Sequence, residues 1–251
     1  MTPKLVSIVV PAFNEEKLIA KCLRSLKAQD YKGPVEIIVV DNNSTDNTAK
    51  IAREEGMTVV FEPTPGVCFA REAGTQAARG DIVIQTDADT TFPTDWLSQI
   101  MTAFSKNPDA VAVAGSFEFE NAPWWGDYLA EFAFGLIRVI DKTTGRLIYV
   151  PGSNTAFKKD AWQGYNTKLD QGGDEVALLK QLKKQGKVVF LPRNTVLTSP
   201  RRLQKGLLYN IFVTFLFYYI VDYSVRRVTG KNIAAFPRIR KEKRKSKQPV
   251  I

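Results

Sequence analysis

The sequence predicts an α/β fold: a mainly parallel, twisted sheet flanked by helices. Two observations carry this expectation. Through residue 115, short and almost wholly apolar runs alternate with helical stretches of about ten to fifteen residues, the pattern of strands buried on both faces. Polar residues collect where the apolar runs stop, as they do at the carboxyl edge of such a sheet. A third observation sets the scale, because 251 residues suit one large domain with an appendage better than two separate cores.

Taken in order, residues 6–10 are a β-branched run halted by Pro11, and within 15–29 the residues Leu18, Ile19, Cys22, Leu23 and Leu26 recur at the spacing of one helix face. Residues 35–40 form a second strand. Ser44 or Thr45 caps a helix reaching Glu55, and 58–61 is a third strand. A helix over 66–79 carries the small residues Ala70, Ala73, Ala77 and Ala78 on one side, 82–85 is a fourth strand, 93–105 is helical from Thr94 or Asp95, and 110–114 is a fifth strand. Beyond residue 115 the rhythm fades. Residues 117–150 mix aromatic side chains with one helix, and a helix over 174–185 precedes a strand over 188–191.

Composition narrows the chemistry. There is no histidine, which excludes imidazole bases, Ser-His triads and histidine metal sites, so acid–base and metal work falls to carboxylates. Cys22 and Cys68 have no metal-ligand spacing and read as buried thiols of a reducing compartment. The net charge of +9 is uneven: residues 1–200 hold 22 Lys+Arg against 24 Asp+Glu, and residues 201–251 hold 13 against 2. That asymmetry points to an anionic partner for the tail alone. No charged and apolar leader precedes the first strand, so the body is expected in the cytoplasm.

The chemistry-bearing residues follow strands. In Asp87-Ala88-Asp89, alternate carboxylates after the fourth strand point to one side and suit Mg2+ or Mn2+ together with the phosphates of a nucleotide; a bare turn capping the next helix is the plainer alternative. Asp41 ends the second strand, where a carboxylate accepts hydrogen bonds from a base or ribose, while Asn43, Ser44 and Asp46 suit an Asx turn and helix cap. In Ser199-Pro200-Arg201-Arg202 the guanidinium pair either closes over a donor diphosphate or flanks a membrane.

The segments Ile8-Val9-Val10-Pro11-Ala12-Phe13-Asn14-Glu15-Glu16, Val40-Asp41-Asn42-Asn43-Ser44-Thr45-Asp46, Ala70-Arg71-Glu72-Ala73-Gly74 with Gly80-Asp81, and Thr86-Asp87-Ala88-Asp89 resemble, in order and spacing, the family 2 inverting glycosyltransferases of GT-A fold. The resemblance covers residues 5–195. It implies a nucleotide diphosphate sugar as donor, with Pro11, Phe13, Glu15 and Asp41 lining the base and ribose pocket, Arg71 reaching base or phosphates, Asp87 serving the ribose and Asp89 the metal. The family's usual Asp-Asp-Gly-Ser is here Asp41-Asn42-Asn43-Ser44. The general base comes in this family from an acidic pair at a helix start, matched by Gly172-Gly173-Asp174-Glu175-Val176 with the usual order reversed. Counting back from Gly186 gives the base position to Glu175; a rotated helix start gives it to Asp174, and capping of the helix dipole is the alternative for both. Gly152-Ser153-Asn154 resembles the family's acceptor-side loop. On this reading 1–115 is the nucleotide-sugar half and 116–200 the acceptor half of one domain.

Residues 207–225 are apolar over nineteen positions apart from Asn210, Thr214, Asp222 and Ser224, and Arg226-Arg227 follow. That pattern suits an interfacial membrane segment within 201–230, with the basic tail 231–251 drawn to anionic lipid; a core or dimer-interface helix is the competing reading. The tail has no interleaved aromatics, so specific nucleic-acid binding is not expected. The expected activity is metal-dependent hexosyl transfer to a lipid-linked or glycan acceptor by an enzyme peripheral to, or anchored at, the cytoplasmic membrane face. A sugar-phosphate nucleotidyltransferase and an inactive membrane-tethered nucleotide binder are the other readings. The first needs a glycine-rich, lysine-bearing loop near residue 15, and the acidic set speaks against the second.

Overall fold

The computed structural model describes residues 5–167, 174–210, 212, 213, 217 and 221. In chain order it contains β1 (Val6–Ala12), α1 (Ile19–Lys27), β2 (Val35–Asp41), α2 (Thr48–Glu54), β3 (Thr58–Phe61), α3 (Val67–Ala77), β4 (Ile82–Gln85), β5 (Thr90–Thr91), α4 (Trp96–Lys106) and β6 (Ala110–Phe119). There follow α5 (Trp124–Thr144), β7 (Thr155–Lys158), α6 (Asp174–Gln185), β8 (Lys187–Thr198), a 3-10 turn (Pro200–Lys205) and the short α7 (Leu207–Tyr209). The strands make one sheet in the order β3-β2-β1-β4-β7-β6-β8-β5. β1 to β4 pair in parallel and β6 with β8 likewise, whereas β7 runs antiparallel to both β4 and β6, and β5 antiparallel to β8.

The β-branched runs form the centre of the sheet because helices cover both their faces. On one side Ile19, Cys22, Leu23 and Leu26 of α1 and Trp96, Leu97 and Ile100 of α4 meet Val6, Ile8 and Val10 in one core. On the other, Val9, Ile38, Val40 and Val83 pack with Ala70 of α3 and Leu178 and Leu182 of α6. Each such aliphatic side chain, fully buried, contributes about 1.5–3 kcal/mol. Gly74 lets α3 sit close: a Cβ there would collide with Val9 and Val40. A third cluster joins Phe134 and Ile137 of α5 to Leu147, Val150 and Leu179.

Several boundaries differ from expectation for physical reasons. Pro11 lies inside β1 and does not end it; β4 pairs with β1 only as far as Val9, so the missing donor falls where the sheet has a neighbour on the β2 side alone. Neither Ser44 nor Thr45 caps α2, which starts at Thr48 after Asn47 with no side-chain capping bond at Asn47. The strand expected to end at Ala114 continues to Phe119 across a register shift between Ala114 and Ser116. The strand expected over 188–191 continues to Thr198, its far part pairing with β6 and β5. The glycine pair at 172 and 173, much of the apolar segment 207–225 and the whole tail 231–251 lie outside the described residues. Among the described residues no helix is long and apolar enough to cross a membrane.

Candidate active site

β1, β2 and β4 all end on one edge, and the loops that follow are tied to each other before any ligand is considered. The backbone N–H groups of Asn14 and Glu15 donate to Ser44 Oγ (3.0 Å) and Thr48 Oγ1 (2.6 Å), that of Glu16 donates to Asp46 (3.1 Å), and Thr45 N–H returns a bond to Asn14 Oδ1 (2.8 Å). Asn14 and Asn43 take φ values of 53° and 62°, left-handed positions that asparagine tolerates, so Asn43 serves where the family pattern has glycine. Asn42 is buried and staples a third loop, donating to the carbonyls of Glu62 (3.1 Å) and Thr64 (2.6 Å) and accepting from Gly66 N–H (2.8 Å). Asp41, also buried, accepts from Ser44 N–H at 3.1 Å. This mutual tie was invisible locally: 41–48 reads as an Asx turn, and its partners lie about thirty residues earlier.

After β4 the chain turns at Ala88 and Asp89, with Thr90 N–H bonded to the Asp87 carbonyl at 3.2 Å. Ala88 enters the core, leaving the two aspartates outward as expected from alternation. Each is met by a different arginine. Arg71, carried by α3, has a side chain 4% exposed and donates to Asp174 and, at 3.2 Å, to Asp87, with Glu175 Oε1 at 3.8 Å. Gly152 abuts this guanidinium so closely that a Cβ would overlap it. Burial, then the neighbouring Asp174, pushes Glu175 up to about 8, with Arg71 opposing. Burial works against the charge on Arg71, but the negative charges of Asp174, Asp87 and Glu175 outweigh it and raise its value well above the ordinary one. Arg201 is 25% exposed and forks onto both oxygens of Glu15 (2.9 and 2.8 Å) while also reaching Asp89. The charge of Arg202 acts on Asp87 as well.

The structure therefore brings Glu15, Arg71, Asp87, Asp89, Gly152, Asp174, Glu175 and Arg201 into two adjoining ion clusters, with Asp41 on the same edge. Pro11 and Phe13 lie half-buried beside them in sequence. Ser153 is buried, and Asn154 is directed inward: its side chain accepts from Trp96 Nε1 (2.9 Å) and donates to the carbonyls of Ser116 (2.9 Å) and Asn194 (2.8 Å), a tie between α4, β6 and β8. Among the described residues no group of three carboxylate, thiol or imidazole side chains gathers to cage a metal. The donor set at 87 and 89 nonetheless fits a hard cation: both groups are carboxylates and their side chains are 38% and 18% exposed, so oxygens from outside the protein could complete such a site.

Residues 7–163 match the family model Glycosyl transferase family 2. A glucosyl-dolichyl phosphate glucuronosyltransferase of Haloferax volcanii is 27% identical over 186 residues, a match covering 68% of this chain and 58% of that relative. The chain thus spans under two thirds of that protein's length. The mannosyltransferase of Pyrobaculum calidifontis, solved with GDP-Man and Mn2+, superposes with a TM-score of 0.63 at 24% identity over 78% of this chain and 57% of that one. Glucosyl-3-phosphoglycerate synthase of Mycobacterium tuberculosis, solved with Mn2+, UDP-Glc and phosphoglyceric acid, gives 0.62 at 21% identity over 85% of this chain and 79% of that one. These likenesses show the GT-A arrangement expected of the sheet. Because the family model matches residues 7–163, more than half of the sequence, the chain belongs to glycosyl transferase family 2.

Proposed function

We propose that this chain transfers a hexosyl group, with inversion and with a divalent cation, from a nucleotide diphosphate sugar to a hydroxyl of a lipid-linked or glycan acceptor at the cytoplasmic face of a membrane. One observation carries the reading: a single buried guanidinium, Arg71, touches both the donor-edge carboxylate Asp87 and the acidic pair Asp174-Glu175, so donor and base elements meet at one point.

In this reading Asp41 and the tied loop at Phe13 to Glu15, beside Pro11, receive the nucleoside. Asp87 and Asp89 hold Mg2+ or Mn2+, which when bound neutralises charge on the departing diphosphate. Arg201 and Arg202 stand at the same edge, where their forks suit phosphate oxygens. Asp174 is committed to Arg71, whereas Glu175 lies 3.8 Å from it and outside hydrogen-bond range. Glu175 is therefore the base. Its carboxylate takes the acceptor hydroxyl proton as the oxygen bonds to the anomeric carbon and the bond from that carbon to the diphosphate oxygen breaks on the opposite face. Gly152 keeps the acceptor-side loop against Arg71. The haloarchaeal relative, a glucosyl-dolichyl phosphate glucuronosyltransferase, supports a lipid-linked acceptor, and the donors bound in the two solved neighbours support a nucleotide diphosphate sugar.

The test is thermal unfolding of the full chain with a panel of UDP- and GDP-sugars, with and without Mn2+. One donor class is expected to raise Tm only when Mn2+ is present, since a ligand bound to the folded state stabilises it by mass action. Asp89→Ala is expected to abolish that Mn2+-dependent shift while unfolding cooperatively on its own. Absence of any nucleotide-dependent shift in the wild-type chain overturns the donor assignment, and an undiminished shift in Asp89→Ala overturns the metal assignment.

A further inference from the structure

α5 is apolar on two opposite faces, and only one of them is used by the fold. Gly126, Ala130, Phe134 and Ile137 turn inward, Phe134 and Ile137 against Val150 and Leu179. At 3.6 residues per turn the opposite face carries Trp124, Tyr128, Leu129, Phe132, Leu136 and Val139. All six are exposed, Trp124 by 75% and Phe132 by 72%. No acidic side chain falls on this stripe; Asp127, Glu131 and Asp141 lie along one edge of it with Arg138, and Lys142 lies at its rim. A contiguous exposed apolar stripe marks a contact surface.

The neighbouring chain argues for the partner's chemistry. Leu203 packs against Gly126 at the start of α5, where a Cβ would collide with it, and the segment leaving that contact again exposes apolar side chains, Leu208 and Phe212 among them. The sequence from 201 onward then holds 13 basic residues against 2 acidic ones. An uncharged aromatic and aliphatic face, in a chain whose sequence goes on to a second apolar stretch and a strongly basic extension, is complementary to an anionic lipid surface, in which aromatic rings settle at the headgroup level.

We propose that the outer face of α5 is a lipid-contact surface that lays the acceptor side of the enzyme on an anionic bilayer. The inner face of the same helix packs on Val150, two residues before Gly152, and on Leu179 of the helix that opens with Asp174 and Glu175. Contact along α5 therefore orients the base helix and the acceptor loop toward an acceptor held in the membrane. This rests on the membrane-acceptor reading above and gives it a surface and an orientation.

The experiment is partition of the full-length chain into phosphatidylglycerol–phosphatidylcholine vesicles, at low and at physiological salt, for wild type, Phe132→Glu with Leu136→Glu, and the conservative Phe132→Leu. Tm and the oligomeric state by light scattering are measured on each without lipid. The wild-type chain is expected to partition, the double glutamate variant to partition at least tenfold less at both salt concentrations with an unchanged Tm, and Phe132→Leu to stay within about threefold of wild type. Equal partition of the glutamate variant and wild type assigns binding to the tail and overturns the role of α5 while leaving the membrane reading intact. A wild-type chain that ignores vesicles even at low salt overturns both. A wild-type dimer made monomeric by the glutamate pair makes the face a contact between two copies and likewise overturns the proposal. Mn2+-dependent nucleotide stabilisation is expected to be equal in all three proteins, which separates a fault in this surface from a fault in the donor site.

Discussion

Two arginines organise the candidate site, and they differ in almost everything but charge. Arg71 comes from α3 inside the sheet's helical cover, is nearly inaccessible, and gathers Asp87, Asp174 and Glu175. Arg201 comes from the 3-10 turn after the last strand, is 25% exposed, and holds Glu15 and Asp89. Gly152 abuts the first and Gly74 lets the helix that carries it sit against Val9 and Val40, so its position follows from packing that a side chain at either glycine would disrupt. No such wall surrounds the second, whose position depends on a turn of six residues beyond the sheet. The contrast separates a fixed charge built into the framework from one delivered to the donor edge by a neighbouring segment. Neither is evidence of stability in itself, since desolvating both partners offsets much of the attraction.

Removing the fixed charge is expected to have the largest effect. Arg71→Met leaves buried Asp174 and its neighbours without their cation, and breaking such a cluster costs about 3–5 kcal/mol. Chemical denaturation at neutral pH checks this, and a loss under about 1 kcal/mol would mean that Arg71 is less enclosed than its 4% side-chain exposure states. Arg71→Lys tests geometry apart from charge, because an ammonium cannot span Asp87 and Asp174 as a fork does.

Next comes Glu175→Gln, for which turnover is expected to fall by about two to four powers of ten with donor affinity nearly unchanged. The pH dependence sharpens the assignment. The folded chain holds the Glu175 proton to about pH 8 whereas the unfolded chain releases it near 4.5, so the folded state binds more protons through that window and wild-type stability declines across it. The Gln variant escapes the decline: the two proteins should differ by a constant amount below the window, and the variant should gain relative to wild type as pH rises through it. Wild-type turnover should rise over the upper part of the same window as the base loses its proton. If Asp174→Asn reproduces the turnover loss at intact stability and Glu175→Gln does not, the base is Asp174.

The smallest effect is expected at the delivered charge. Arg201→Met leaves Glu15 without its fork and should cost about 1–3 kcal/mol. It should also free Asp89, so Mn2+ measured by electron paramagnetic resonance without nucleotide should bind the variant several-fold more tightly than wild type. Equal Mn2+ affinity in the two proteins would break the comparison, making Arg201 as much a part of the framework as Arg71.

The same contrast explains how much could be read from sequence. β1, β2, β3, β4 and β6 and the helices between them were legible because each is an apolar run or a one-faced helix whose partner layers impose the pattern. β7 (Thr155–Lys158) and β5 (Thr90–Thr91) were not, since neither is an apolar run and each becomes a strand through the neighbours it meets. Within the site the carboxylates were legible from their place after strands, and Arg71 and Arg201 were singled out as well. Their partners were not: Arg71 meets Asp174 across 103 residues and Arg201 meets Glu15 across 186, beyond any local pattern. The inward turn of Asn154 was hidden for the same reason, its three partners coming from three other elements.

Those separations also impose an order on assembly. Closing the longer loop rather than the shorter adds only about 0.5 kcal/mol of chain entropy, so distance along the chain is no obstacle to the finished contact. It bears on when the contact forms. Glu15 is buried in the finished molecule, yet the guanidinium that neutralises it stands beyond the last strand, and long-range pairings of this kind form late. Until that turn docks, the carboxylate must stay hydrated, which keeps the loop after β1 open to water while the sheet behind it is already formed. A chain interrupted after β8 would lack the guanidinium that pairs with Glu15, leaving that edge of the sheet with an unfinished mouth.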